Sequence, residues 1–99
     1  MPATRPHSTA LERRTVWFRG DVQGVGFRAT TQRLAGGLAL TGTVRNLADG
    51  GVELVVEGTV PEIDRLIAGL REHFGSEAFD HEQQVAEATG SFTGFRIRH

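Results

Sequence analysis

The apolar positions of the chain follow two different periods, which predict a mixture of strands and helices. Residues 14–19 are β-branched and aromatic, and their alternation places Val16 and Phe18 on one side, as a half-buried strand requires. Residues 61–74 instead carry apolar side chains at helical spacing, and Gly75 then supplies a stop signal. The chain therefore contains both kinds of element, and the helix over 61–74 has the clearest pattern.

The same patterns predict the remaining elements. A first helix runs from Phe27 to about Ala35, and further strands cover 40–46, 52–57, 76–84 and 92–98. The strand over 76–84 has the weakest pattern because its centre is polar, and 86–91 is predicted to be a loop. The resulting order, β-α-β-β-α-β with a short extra C-terminal strand, predicts an α+β sandwich with two helices on one face of an antiparallel sheet.

Composition narrows the class of protein. Ninety-nine residues with a net charge of −1 favour one domain without a basic nucleic-acid surface. We expect residues 1–12 to form a flexible N-terminal tail and 13–99 to form the folded domain. Without cysteines, a membrane-length apolar run or a signal-peptide core, the sequence predicts a cytoplasmic protein, which we expect to be monomeric. The four histidines are scattered without ligand spacing, so neither a metal nor another cofactor is expected.

A glycine-rich loop at 20–28 joins the first strand to the first helix and carries the candidate chemistry. At the start of a helix the backbone N–H groups lack partners, and glycines let a ligand approach the backbone. The N–H groups of Val25, Gly26, Phe27 and Arg28 therefore form a candidate phosphate cradle. The guanidinium of Arg28 can add two further hydrogen bonds to phosphoryl oxygens.

Asn46 is the second candidate, because the first two strands are predicted to run in the same direction and to end at one sheet edge. Its amide offers one acceptor and two donors, enough to orient a water molecule. Gln23 and Gly24 are interpreted as loop-shaping, and Asp49 and the glutamates as solvated charges. Trp17 is interpreted as an ordinary packing residue.

Two motifs resemble the acylphosphatase family. Gly20, Val22-Gln23-Gly24-Val25, Phe27 and Arg28 match the pattern G-x-V-Q-G-V-x-[FY]-R, and Gly42-Thr43-Val44-Arg45-Asn46 matches G-x-V-x-N. Thr43 departs from the family, since many members carry an aromatic residue there.

The resemblance implies a ferredoxin-like acylphosphatase domain and metal-independent hydrolysis of acyl phosphates to carboxylate and inorganic phosphate. Arg28 would bind the phosphate, and Asn46 would position the attacking water. The implied partner is a small-molecule acyl phosphate, with no nucleic acid and no membrane.

Two alternatives remain at this point. The same element order supports RNA-binding domains, but these need aromatic residues on the first and third strands, and residues 52–57 contain none. The other alternative is a regulatory domain that binds phosphate or carbamoyl phosphate without turnover, because a fold does not fix a function.

Overall fold

The computed structural model describes residues 10–99, which form a five-stranded sheet and two helices. The elements in chain order are β1 (Glu12–Gly20), α1 (Phe27–Gly36), β2 (Thr41–Asn46), β3 (Val52–Gly58), α2 (Val60–Phe74), β4 (Phe79–Glu87) and β5 (Phe95–Arg98). This is the predicted ferredoxin-like α+β fold with its extra C-terminal strand. Most of the predicted tail, residues 1–9, lies outside the described residues.

The sheet has the order β4-β1-β3-β2-β5. The first four of these strands pair antiparallel, whereas β5 pairs parallel with β2 at the edge. Since β3 pairs antiparallel with both β1 and β2, those two strands run in the same direction. Asn46 and Phe18 both pair with Val52, so β1 and β2 end side by side on either side of β3.

One face of the sheet is covered by both helices. The buried strand residues alternate, as predicted for Val16 and Phe18, which are both fully buried. Helix α2 buries the predicted stripe against them, through Ile63, Leu66, Ile67 and Leu70. The rings of Phe18 and Phe27 lie 4.9 Å apart between their centroids, so the start of α1 is packed directly on β1.

Strand β1 is longer than the pattern of apolar residues indicates, because polar residues also join the ladder. It begins at Glu12, which pairs with both Gly58 and Glu87 through the backbone. The Glu12 carboxylate also accepts a 2.7 Å hydrogen bond from Arg14, whose side chain is buried on the helix face.

The predicted position of β4 is wrong at both ends. The strand covers Phe79–Glu87 rather than 76–84, so Ala86 and Glu87 lie in a strand and not in a loop. Phe79 is the strand's one buried residue, and the rest of the ladder is held by backbone pairing with β1. Strand β5 is also shorter than predicted, since it begins at Phe95.

The interpretation of the glutamates as solvated charges fails at Glu57, which is 4% exposed. Its carboxylate lies on the face of the sheet without helices, where the segment 88–94 crosses from β4 to β5. It accepts hydrogen bonds from the backbone N–H groups of Thr89 and Gly90, each at 2.9 Å, and from Arg13 at 2.8 Å. Glu57 therefore attaches the crossing segment to the sheet.

Neither helix within residues 10–99 has the length and apolar character needed to cross a membrane.

Candidate active site

The loop between β1 and α1 is shaped by glycines and leaves backbone donors open. Gly24 and Gly26 adopt φ of 80° and 78°, in the left-handed region that favours glycine, and Gly26 is the residue before the first turn of α1. Over residues 10–99, no acceptor engages the backbone N–H groups from Gly24 to Arg28. These N–H groups stand at the positive end of the α1 dipole, which favours an anion.

Arg28 lies in the first turn of α1 and is partly buried. Its Nη1 is 3.4 Å from the carbonyl oxygen of Arg98 and 3.5 Å from Nδ1 of His99. In the described part of the chain its remaining guanidinium N–H groups make no hydrogen bond, and no carboxylate pairs with it. The guanidinium can therefore still offer donors to two phosphoryl oxygens.

Asn46 is the last residue of β2 and is exposed. Asn46 and Arg28 line the same open cavity, whose volume is about 200 Å³. The cavity wall consists of Val22, Gly24, Gly26, Phe27, Arg28, Ala29, Asn46, Ile97 and His99. The structure thus brings together most of the predicted site residues. Val25 is the exception, because it does not line the cavity and is 51% exposed.

Gln23 connects the two halves of the site. Its side-chain amide donates hydrogen bonds to the carbonyl oxygens of Leu47, at 2.9 Å, and Gly51, at 2.8 Å. Leu47 directly follows Asn46, so the glycine-rich loop is attached to the turn that begins at Asn46. These contacts agree with a loop-shaping role for Gln23.

Acidic groups close to the site are engaged elsewhere or exposed. Asp49 accepts a 2.9 Å hydrogen bond from the N–H of Gly51 and pairs with Arg19 at 3.1 Å. These two contacts, the first being the larger, lower the pKa of Asp49. Asp21 is exposed and forms no ion pair within residues 10–99. Within residues 10–99, therefore, no carboxylate competes with an anionic ligand for Arg28.

The departure at Thr43 does not affect the cavity. Thr43 pairs with Arg96 of β5 and lies on the face of the sheet without helices, where both line a different surface depression.

In the part of the chain that the structure describes, no group of three or more His, Asp or Glu side chains could hold a metal ion.

The interaction that sequence reasoning missed is the approach of β5 to the site. Ile97 and His99 line the cavity, although neither belongs to the two motifs. Only the parallel pairing of β5 with β2 brings them there, and neither hydrophobic pattern nor motif spacing reveals that pairing.

Comparison with known proteins gives a family match over most of the chain. The family model described as acylphosphatase matches residues 14–97. The acylphosphatase of Paenarthrobacter aurescens is 46% identical over 86 residues, which cover 86% of this chain and 92% of that protein. The crystal structure of the Bacillus subtilis acylphosphatase superposes with a TM-score of 0.76 at 29% identity, covering 90% of this chain and 99% of that one.

A similar unit also occurs within a much longer protein. The structure of full-length HypF in a phosphate- and nucleotide-bound form matches with a TM-score of 0.73 at 29% identity. The match covers 96% of this chain but only 13% of that protein.

Proposed function

Since this chain belongs to the acylphosphatase family and is an enzyme that hydrolyses acyl phosphates, we propose that Arg28 and Asn46 are its catalytic residues. In this proposal Arg28 and the backbone N–H groups of Val25 to Arg28 bind the phosphoryl group, and Asn46 orients the attacking water. The observation that carries the proposal is that Arg28, Asn46 and the glycine-rich loop line one cavity.

The reaction places modest demands on these groups. The oxygen of the water attacks phosphorus, the bond from phosphorus to the acyl oxygen breaks, and that oxygen leaves as a carboxylate. One proton of the water stays on the attacking oxygen, which becomes part of the phosphate product, and the other passes to a phosphoryl oxygen or to solvent. Because the carboxylate is a good leaving group and the transition state is loose, positioning and charge stabilisation can supply most of the rate enhancement.

Each group acts on a different part of this transition state. The guanidinium and the backbone N–H groups face the equatorial phosphoryl oxygens, where negative charge is carried both before and during the reaction. Asn46, which lines the same cavity, holds the water through its carboxamide. Arg28 should therefore contribute to ground-state binding as well as to rate, whereas Asn46 should contribute mainly to rate.

The test is hydrolysis of benzoyl phosphate by wild type and variants, with inorganic phosphate as inhibitor. Arg28→Ala should nearly abolish turnover and weaken inhibition by phosphate. Arg28→Lys should be similarly impaired, because a lysine ammonium cannot make the two parallel hydrogen bonds that a planar guanidinium makes to phosphoryl oxygens. Arg33→Ala is the matched control, since Arg33 lies exposed near the other end of α1 and should retain wild-type kinetics.

Asn46→Ala should lower kcat by about a hundredfold, the usual effect of losing one positioned donor, while phosphate inhibition stays near the wild-type value. Full turnover by Asn46→Ala would refute its role. An equal loss of phosphate affinity would instead make Asn46 a phosphate ligand.

We further propose that turnover is independent of metal, because the chemistry above assigns every charge to a side chain or a backbone dipole. Incubation with EDTA should leave kcat unchanged at every substrate concentration. A loss of rate that added Mg²⁺ restores would disprove this.

The regulatory alternative is not favoured by the relatives. The acylphosphatase at 46% identity is matched over 92% of its own length, whereas HypF is a far longer protein. A monomer acting in the cytoplasm remains our expectation, which sedimentation of the purified protein and fractionation of cells would check.

A further inference from the structure

The end of β5 reaches the cavity because this strand runs parallel to β2. Arg98 pairs with Arg45, so the next residue of β5's chain, His99, lies beside Asn46 at the same sheet edge. The His99 side chain lines the cavity with Arg28, and its Nδ1 is 3.5 Å from Nη1 of Arg28. The family motifs contain no part of β5, and the assignments made above give His99 no role.

Helix α1 is held along β5 by two side chains one turn apart. Arg28 approaches the carbonyl oxygen of Arg98 at 3.4 Å, and Gln32 donates to the carbonyl oxygen of Phe95, also at 3.4 Å. The direction in which Nη1 points is therefore set by acceptors at the end of β5.

We propose that His99 is a positioning residue for Arg28. A guanidinium has donors only, so Nδ1 of a neutral imidazole must present its lone pair to Nη1 and carry its proton on Nε2. This contact and the Arg98 carbonyl turn Nη1 toward β5, which leaves the other N–H groups of Arg28 free for the phosphoryl oxygens. The inference rests on the proposed role of Arg28 in binding phosphate.

Over residues 10–99, Arg28 is the charged side chain that lines the cavity with His99, and the other wall residues are glycine, apolar residues and Asn46. Removal of the imidazole takes away one of the two acceptors that Nη1 of Arg28 approaches. Arg28 should then be less well positioned and should bind phosphate less tightly.

Two substitutions test whether the acceptor on residue 99 positions Arg28. His99→Asn keeps an acceptor close to the place of Nδ1, whereas His99→Ala removes it. His99→Ala should lose on the order of threefold in phosphate affinity and in kcat/KM for benzoyl phosphate, and His99→Asn should restore most of both. All variants are compared with wild type at the same pH, so the protonation of phosphate itself cancels.

A double-mutant cycle identifies the residue through which His99 acts. If His99 works through Arg28, His99→Ala should have no further effect on phosphate affinity in the Arg28→Ala background. An equal effect in both backgrounds, or a His99→Ala variant that matches wild type, would overturn the inference. Failure of Arg28→Ala to weaken phosphate binding would instead overturn the proposed site, so the two failures are distinguishable.

Discussion

At the level of single residues, the proposed phosphate cradle depends on the conformation of Gly26. Its φ of 78° lies where a side chain costs roughly 1–2 kcal/mol, because Cβ would approach the following carbonyl oxygen. Gly26→Ala should therefore lower the free energy of unfolding by about 1 kcal/mol. The loop should also relax, so inhibition by phosphate should weaken. Urea unfolding and inhibition constants would measure the two effects.

Gly36 provides the matched control for Gly26. It is the last residue of α1, its φ is not in the left-handed region, and an added Cβ would meet no atom within 4 Å. Gly36→Ala should be neutral or stabilising by up to about 1 kcal/mol, with unchanged phosphate inhibition. If Gly26→Ala and Gly36→Ala lost equal amounts of stability and of phosphate inhibition, the left-handed conformation of Gly26 would not be the cause of either effect.

At the level of elements, Glu57 joins β3 to the segment 88–94. Burial alone would raise the pKa of Glu57, but hydrogen bonds from Thr89, Arg13 and Gly90 outweigh it and lower the pKa to about 2. The folded protein favours the ionised carboxylate of Glu57. Glu57 therefore stabilises the fold fully above the ordinary pKa of 4.5, and this stabilisation is lost as the pH falls toward 2. Stability should therefore decrease over that acidic range.

Glu57→Gln should remove the charge and weaken those hydrogen bonds. We expect the free energy of unfolding to fall by about 2 kcal/mol at pH 7. Between pH 4.5 and 3 the stability of the variant should depend less on pH than that of wild type. Urea midpoints measured at several pH values would check this. Glu72→Gln, at an exposed position on α2, should leave the midpoints unchanged.

The sequence predicted secondary structure best where the burial of side chains determines which element forms. Helix α2 was predictable because its apolar stripe is buried as a unit, through Ile63, Leu66, Ile67 and Leu70. Strand β4 was not, because its ladder is made of backbone hydrogen bonds and its side chains beyond Phe79 are not buried. The role of Glu57 was equally hidden, since its partners lie 32 and 33 residues further along the chain.

For the site, the two motifs correctly predicted that Arg28 and Asn46 lie at one sheet edge. The loop that leads to Arg28 follows the end of β1, Asn46 is the last residue of β2, and both strands flank β3. The approach of His99 depended on the pairing of β5, for which the sequence carries no signal. The backbone N–H of Val25 was assigned to the cradle by its position in the loop, but Val25 does not line the cavity and is exposed.

For the protein as a whole, a bound anion should stabilise the folded state. Phosphate that binds only the native cavity adds about 1.4 kcal/mol at ten times its dissociation constant. For a domain of this size that corresponds to a rise in Tm of about 5 to 10 °C. Thermal unfolding of wild type should show this rise with phosphate, and unfolding of Arg28→Ala should not. A rise of the same size in both would place the anion elsewhere on the surface.

The two hydrogen bonds from the Gln23 amide to Leu47 and Gly51 join the glycine-rich loop and the Asn46 turn into one frame. In the proposed site, substrate would therefore meet groups that are already arranged, so little of its binding energy would go into ordering them. The proposed contacts all go to the phosphoryl group and the attacking water, and none goes to the organic end of the substrate. We therefore expect broad tolerance of the carboxylic acid that is released, with selectivity directed at the anhydride bond itself.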